Sequence, residues 1–176
     1  MSHSITSIEP ICASLRDEGK RIVLATGFFD LFHAEHENFL KKAKGEGDVL
    51  VVAVESDERA RMLKGEDRPV ETQSLRCQHI LDFAAKQESW SAAKLECCKT
   101  GVLVVALPPD FDHFEAYDSL MAAVQPSVYA VSSHTEHIKS KTFLVEKYGG
   151  RLAVVHDWNP EISTTKLINK INKIDK

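Results

Sequence analysis

The stretch that decides the fold is GFFDLFHAEH, residues 27–36, which carries two histidines three positions apart. It follows the short apolar run RIVLAT at 21–26 and leads into HENFLKKAK at 36–44, whose composition favours a helix. The segment therefore predicts a strand, a turn and a helix. The free backbone N–H groups and the positive dipole end of that helix would face whatever lies above the strand, which favours a phosphate group.

Outward from this stretch, the chain predicts an alternation of strands and helices. We expect the first helix at 8–18, with Ser7 as its candidate N-cap, and the helix from residue 36 to stop at the Gly45-Glu46-Gly47 break. Further helices are predicted at 57–63, 72–86, 114–124, 135–148 and 164–174. The predicted strands are 21–26, 48–54, 102–106, 128–131 and 152–155, and the stretch 87–99 is given no firm element.

This alternation indicates an α/β fold. Strands separated by single helices predict a parallel sheet with right-handed crossovers. The unbroken apolar run at 48–54 suits a strand that is covered on both faces. We therefore expect a Rossmann-like, doubly wound parallel sheet with helices on both faces, in a single domain over residues 1–176. Ligands in such sheets bind beyond the carboxyl ends of the strands.

Composition excludes several classes of protein. An apolar fraction of 43% with 27% charged residues indicates a globular chain, and a net charge of −4 without a basic stripe argues against a nucleic-acid partner. No apolar run is long enough for a membrane span, and no leader is evident at 1–4, so a cytoplasmic protein is expected. The four cysteines (Cys12, Cys77, Cys97 and Cys98) have no C-x-x-C spacing, which favours idle reduced thiols over a metal site.

Four ordered motifs together point to a known family. Residues 27–36 reproduce the signature G-x-F-D-x-x-H-x-G-H at every position except Glu35, where the family has glycine. Ser56-Asp57-Glu58, KGEDRP at 64–69 and ISTTK at 162–166 follow in the family's order. The chain thus resembles nucleotidyltransferases of the cytidylyltransferase type. The order and spacing look most like the nucleotidyltransferase domain of ADP-heptose synthase and like glycerol-3-phosphate cytidylyltransferase.

The resemblance implies a reaction and a set of site residues. The reaction would transfer CMP or AMP from CTP or ATP to a small phosphorylated acceptor, a sugar or polyol phosphate, with release of pyrophosphate and with Mg²⁺ carried on the nucleotide. A homodimer is also expected from the family. The implied catalytic residues are His33, His36 and Lys64, and the implied nucleotide-binding residues are Gly27, Phe28, Phe29, Asp30, Arg76, Ser163, Thr164 and Thr165. No residue is predicted to hold a metal ion.

Each of these residues also has a simpler interpretation. The two histidines could be a surface pair at a helix start, or share a zinc ion, although no further ligand spacing completes a tetrahedral set. The hydroxyl run at 163–165 could serve only as an N-cap, and Lys64 could be a solvated loop lysine. Asp30 could bond its own turn, and Arg76 could lie on a helix surface.

Departures from the family pattern favour altered or absent catalysis as the alternative. Glu35 adds bulk and negative charge beside a phosphate site, unless its side chain points away or pairs with a cation; if it obstructs, Glu35→Gly should tighten nucleotide binding. Expected arginines are replaced by WNPE at 158–161 and AAK at 84–86, and His134 and His137 stand where relatives carry a Gly-Asp motif. The alternative function is therefore a catalytically inactive nucleotide-binding homologue that acts in sensing or partner binding.

Overall fold

A five-stranded parallel sheet organises the computed structural model, which describes residues 2–90, 100–157, 164, 166 and 168. The strands are β1 (Ile22–Gly27), β2 (Val49–Val54), β3 (Val102–Ala106), β4 (Val128–Ser132) and β5 (Arg151–His156). The helices are α1 (Ile5–Asp17), α2 (Ala34–Gly45), α3 (Asp57–Lys64), α4 (Gln73–Ala85), α5 (Phe114–Val124) and α6 (Ile138–Lys147), with a short 3₁₀ turn at Glu88–Trp90.

The sheet is covered on both faces, which confirms the predicted α/β architecture. Alternate residues of each central strand point to opposite sides, so that Leu24 packs with α1, α5 and α6 while Val23 packs with α2 and α4. Every residue of β2 is buried, as its continuous apolar sequence predicts. Two apolar cores, one on each face of the sheet, therefore hold the helices in place.

Two helices, α1 and α6, start three residues away from their predicted positions. Helix α1 starts at Ile5 because Ser4 is its N-cap, and Ser7, which was expected to cap the helix, occupies the third helical position of a reciprocal capping box with Ser4. Helix α6 starts at Ile138 instead of residue 135, because Thr135 lies in a turn and His137 takes a left-handed N-cap conformation. Of the final helix predicted at 164–174, only residues 164, 166 and 168 lie in the described part, and all three are helical.

The strand order creates a crevice beside β1. The order is β3-β2-β1-β4-β5, so the chain winds outward from β1 in one direction and then returns to add β4 and β5 on the other side. Strand β1 pairs with β2 along its whole length, up to Gly27 opposite Val54, whereas its pairing with β4 ends at Leu24 opposite Tyr129. The carboxyl ends of β1 and β4 thus part, and a ligand crevice is expected at such a reversal of strand order.

In the described ranges, no helix combines the length and the apolar character needed to cross a bilayer.

The entry into β5 depends on a glycine, which gives a test of the fold. A Cβ atom added to Gly150 would lie 2.1 Å from the Pro126 carbonyl oxygen and 2.7 Å from a methyl group of Val145. We expect Gly150→Ala to lower the free energy of unfolding by about 1–3 kcal/mol, because the backbone must shift to relieve the overlap. Chemical denaturation followed by circular dichroism measures the change.

Gly45→Ala is the matched control for this substitution. A Cβ atom at Gly45 has no heavy atom within 4 Å, and the residue ends α2 in an ordinary backbone conformation. This variant should keep or slightly raise the stability, by up to about 1 kcal/mol. Equal losses in the two variants would contradict the packing that the structure gives to Gly150.

Candidate functional site

The candidate site is a cavity of about 420 Å³ beyond the carboxyl ends of β1 and β4. Most of the residues predicted from the sequence line it: Gly27, Phe28, Phe29, Asp30, His33, His36, Lys64 and Thr164. Ser163 and Thr165 lie outside the described residues, and Arg76 does not line the cavity. One crevice thus brings together residues from the signature loop, the end of α3 and the final helix.

The two histidines of the signature face each other at the start of α2. Their rings stack with centroids 3.8 Å apart and an interplanar angle of 17°, and the His36 ring also packs against Phe29 and Phe32. Burial lowers the pKa of His33, and burial together with the neighbouring imidazole lowers the pKa of His36 to about 3. Both rings are therefore neutral at physiological pH.

Both imidazoles have a hydrogen-bonding atom without a protein partner. The Nδ1 atoms of His33 and His36 are buried and accept or donate no hydrogen bond within the described part of the chain. Leaving a buried polar atom unpaired costs on the order of 1–3 kcal/mol, and such atoms in native proteins concentrate at functional sites. This pair thus differs from an ordinary surface pair of histidines.

The first turn of α2 is open to an anion. His33 is its N-cap but makes no side-chain capping bond, which is also the case at α5 and α6, whereas Ser4, Ser56 and Thr72 cap α1, α3 and α4 through their hydroxyl oxygens. The first N–H groups of α2 have no partner within the helix and point out of its N-terminus, at the positive end of the dipole. This arrangement suits the binding of a phosphate group.

The loop between β1 and α2 has an unusual backbone. Phe29 and Leu31 have φ angles of 54° and 47°, in the left-handed region that residues with a side chain rarely adopt. The turn folds the Phe29 ring back over Gly27, where an added Cβ atom would lie 3.1 Å from the ring. Backbone strain of this kind is held in place by its surroundings, and it is common at ligand sites.

Asp30 is the residue that holds this loop to its neighbours. Its side chain is 1% exposed and accepts hydrogen bonds from the Arg68 guanidinium and from the backbone N–H groups of Val70 and Glu71, at 3.0–3.1 Å. Its backbone carbonyl accepts a bond of 2.9 Å from the Thr164 hydroxyl. The carboxylate thus binds the loop after Lys64, which the sequence interpretation did not foresee.

Arg76 lies beneath the loop and not in the cavity. Its side chain is fully buried; it donates to the carbonyls of Phe28, Glu55 and Glu71 and forms an ion pair of 2.6 Å with Asp57. Arg76 was predicted to contact the nucleotide. In the structure, its guanidinium is instead bonded to protein groups and is not exposed to the cavity. The guanidinium fixes the backbone of the signature loop against the end of β2, so Arg76 is a positioning residue.

Lys64 is an exposed cation at the mouth of the cavity. It is the last residue of α3, and none of the acidic side chains in the described ranges forms an ion pair with it. Lysine is a flexible point charge, which suits the binding of a mobile phosphate group. The charge of Lys64 is therefore available to a ligand.

The carboxylate of Glu35 is paired with a histidine of the sheet, His156. Its Oε2 atom lies 2.9 Å from Nε2 of His156, at the end of β5, and Nδ1 of His156 lies 3.4 Å from the Lys42 ammonium group. Both side chains are nearly buried, with 15% and 11% exposed. The structure thus shows the pairing that the sequence analysis left open for Glu35.

Sequence reasoning missed several residues of the cavity wall. His156, Arg68 and Lys141 all line it. His156 and Lys141 are distant from residues 27–36 and lie in no motif, whereas Arg68 lies in the KGEDRP motif at 64–69, where it was given no role. His134 also lines the cavity, whereas His137 lines only a second cavity beside it. Within the part of the chain that the structure describes, no group of three or more His, Cys, Asp or Glu side chains could hold a metal ion.

Comparison with known proteins shows which family the sequence of this chain matches. Residues 24–170 match the model of the cytidylyltransferase-like family. The chain is 32% identical over 159 residues to the bifunctional protein HldE of Desulfatibacillum aliphaticivorans, covering 90% of this chain and 28% of that protein. It is 36% identical over 154 residues to HldE of Pelobacter propionicus, covering 87% of this chain and 27% of that protein. The chain thus spans less than a third of the length of these curated relatives.

Two solved structures share the fold. A lipopolysaccharide core biosynthesis protein from Thermoplasma volcanium aligns with a TM-score of 0.53 at 24% identity, over 78% of this chain and 96% of that chain. A pantoate-β-alanine ligase from Francisella tularensis, complexed with β-γ ATP and β-alanine, aligns with a TM-score of 0.56 at 14% identity, over 98% and 77%. At these identities, the likeness supports the Rossmann-like fold alone.

The low pKa of His36 predicts how stability depends on pH. The unfolded chain takes up a proton on this ring below about 6.5, whereas the folded chain does so only near 3. The difference between these two pKa values stabilises the folded state fully above pH 6.5, and this stabilisation is lost as the pH falls toward 3. We therefore expect a lower free energy of unfolding at pH 5 than at pH 7.5. Urea denaturation across this range measures the slope.

Replacing His36 should make that slope shallower. His36→Gln removes the titrating ring, whereas His113→Gln is the control, because His113 is an exposed histidine whose pKa Asp112 raises. The control should not flatten the slope, because a raised histidine pKa makes the folded state more stable at low pH, which is opposite to the effect of His36. Parallel slopes for the wild type and His36→Gln would contradict the buried, neutral state of His36.

Proposed function

The chain belongs to the cytidylyltransferase-like family of nucleotidyltransferases, and we propose that it transfers CMP or AMP from CTP or ATP to a small sugar or polyol phosphate. An oxygen of the acceptor's phosphate attacks the α-phosphorus. The new phosphorus–oxygen bond forms as the bond from the α-phosphorus to the β-phosphate oxygen breaks, and pyrophosphate leaves with that electron pair. A phosphate nucleophile needs no general base, so positioning and charge stabilisation carry the reaction.

The observation that carries this proposal is the stacked, neutral pair of His33 and His36 at the uncapped start of α2. Neutral imidazoles can donate hydrogen bonds to phosphate oxygens without adding a fixed charge, and the helix N–H groups provide further donors. Donors that are already oriented toward a developing charge stabilise a transition state without reorganising. The two rings and the N-terminus of α2 would therefore bind the α-phosphate and its immediate surroundings.

Positive charge for the triphosphate comes from lysines that line the cavity. Lys64 is exposed at the end of α3, and Lys141 lies on α6. Arg68 also lines the cavity, but its guanidinium is bonded to Asp30, so it serves mainly to hold the loop. The two lysines are therefore the cations that can move toward a phosphate group.

Mg²⁺ would enter this site as part of the nucleotide substrate. Both oxygens of Asp30 already accept bonds from the loop at 68–71, and Glu35 is paired with His156. Mg²⁺ commonly keeps its water ligands and binds substrate phosphates instead of a dedicated protein cage. Homodimer formation and a cytoplasmic location stay predictions.

Pyrophosphate release tests the proposed reaction. The wild type should release pyrophosphate from CTP or ATP with at least one member of a panel of sugar and polyol phosphates. His33→Asn and His36→Asn should lower kcat by about 100-fold or more, as the loss of an oriented donor does in other enzymes. Lys64→Met should raise the nucleotide KM by about 10-fold, because it removes an unpaired charge from the cavity mouth.

Lys86→Met is the control for the lysine variant, since Lys86 is an exposed lysine at the end of α4 that does not line the cavity. This control variant should leave kcat and the nucleotide KM unchanged. Nucleotide binding without turnover on any acceptor would favour the alternative of an inactive binding protein. Loss of both binding and turnover in the wild type would refute the phosphate site itself.

The pairing of Glu35 with His156 leads to a separate prediction on nucleotide affinity. Glu35→Gly should tighten ATP or CTP binding several-fold, because it removes a carboxylate from the cavity wall. His156→Asn should weaken binding several-fold, because the Glu35 charge then faces the triphosphate without its partner. Titration calorimetry of each variant measures the dissociation constants.

The double variant decides whether the two effects share one cause. In the Glu35→Gly background, His156→Asn should change nucleotide affinity little, since there is no carboxylate left for His156 to bond. Additive effects of the two substitutions would show that His156 contacts the nucleotide independently. An unchanged affinity in Glu35→Gly alone would mean that the paired carboxylate does not repel the phosphates.

A further inference from the structure

A second cavity of about 500 Å³ adjoins the first one. It lies above the end of β2, between α3, α5 and α6. The two cavities share Gly27, Phe28, Lys64, His134 and Lys141 in their walls. Pockets of this size are typical of sites for small ligands. A ligand here would meet a nucleotide in the first cavity along the Gly27–Phe28 backbone.

The wall of the second cavity contains a buried carboxylate. Glu55 follows β2 directly and is only 5% exposed. Its Oε1 atom accepts a hydrogen bond of 2.8 Å from the Tyr117 hydroxyl, and its Oε2 atom lies 3.4 Å from Nε of Arg59. Oε2 is buried and makes no hydrogen bond within the described residues, because the orientation of Arg59 gives an ion pair only. One carboxylate oxygen is thus oriented and able to accept a hydrogen bond.

The surroundings of Glu55 decide what it can bind. Arg59 lies over the Tyr117 ring, and the positive charges of Arg59 and Lys141 both act on the carboxylate. A cationic ligand group, such as an ammonium, would therefore meet two positive charges beside a carboxylate that is already neutralised. A hydroxyl group donates a hydrogen bond without this repulsion. The wall next to Glu55 thus favours a hydroxyl group of the ligand over an ammonium group.

Lys141 and Lys64 add a place for a phosphate group at the junction of the two cavities. Burial lowers the pKa of Lys141, while Glu55 and Glu136 oppose that change. A phosphate group bound between these two lysines would lie beside the first cavity, with the rest of the ligand extending toward Glu55. This is the orientation that attack on an α-phosphate requires.

We infer that the second cavity holds the acceptor and that Glu55, oriented by Tyr117 and Arg59, selects a hydroxylated acceptor phosphate by accepting a hydrogen bond from its hydroxyl group. The inference rests on the proposed function, since it assigns the nucleotide to the first cavity. Tyr117 and Arg59 are positioning residues in this scheme. Glu55 is the specificity-determining residue, and it would contact the acceptor directly.

A binding experiment tests this inference without requiring turnover. Glycerol 3-phosphate, a heptose 1-phosphate and phosphoethanolamine are each titrated into the protein in the presence of a non-hydrolysable CTP or ATP analogue, with ligand-observed NMR as the readout. The wild type should bind at least one polyol or sugar phosphate, and bind it more tightly than phosphoethanolamine. Glu55→Gln should weaken that binding by about 10-fold or more and reduce the preference, while the affinity for the nucleotide analogue stays within about twofold.

Two further variants keep the result interpretable. Glu58→Gln is the matched control, because Glu58 lies three residues away on α3 with a side chain that is 54% exposed. It should leave both affinities unchanged. Tyr117→Phe keeps the ring and removes only the bond to Glu55, so it should weaken acceptor binding by a few-fold and spare the nucleotide, even where Glu55→Gln folds poorly.

The outcomes separate this inference from the proposed function. If the nucleotide analogue binds but none of the hydroxylated phosphates does, or if Glu55→Gln and Tyr117→Phe leave acceptor binding unchanged, the assignment of Glu55 is overturned while the nucleotide site stands. Preferred binding of phosphoethanolamine would overturn it as well. If the nucleotide analogue does not bind, the proposed function fails, and the inference fails with it.

Discussion

The buried carboxylate of Asp30 is the contact on which the site depends. Its two oxygens hold the Arg68 guanidinium and the backbone that follows it, while its own carbonyl holds the Thr164 hydroxyl. Three segments from distant parts of the sequence thus meet at one residue of the signature loop. Removing the carboxylate would leave Arg68 without its partner in a mostly buried position, which costs more than the bonds themselves contribute. The cavity has its shape because these segments are fixed together.

The electrostatics of the cavity follow from how its charges are paired. His36 is largely buried and neutral, and the carboxylate introduced by departure from the family signature, that of Glu35, is hydrogen-bonded to Nε2 of His156. What remains for a polyanion is the helix start and the two lysines, which are small and local sources of positive potential. A protein with a net charge of −4 can therefore present an anion site without any basic surface.

Much of the fold could be predicted from the sequence, because strands buried on both faces need continuous apolar runs and glycines mark the helix ends. The histidine pair could also be predicted, since three-residue spacing at a helix start places both rings on one side. The role of Asp30 and the burial of Arg76 could not, because their partners lie elsewhere in the chain: the bonds of Asp30 span 38–134 positions. Local pattern carries no information on such contacts. The N-cap of α1 is a different case, because Ser4 and Ser7 are identical residues and either can cap a helix.

The parting of β1 from β4 explains why two cavities adjoin at the carboxyl end of β1. Beyond Leu24 and Tyr129 the two strands no longer pair, so the Gly27–Phe28 backbone is reached from the β4 side as well as from the β2 side. Gly27 has no side chain to divide the space, and a Cβ atom added there would lie 3.1 Å from the ring of Phe29. Both cavities therefore open onto the same short piece of backbone. Two reactants bound on either side of it would meet where the imidazoles, the helix start and both lysines converge, and transfer between two bound phosphates requires such an arrangement.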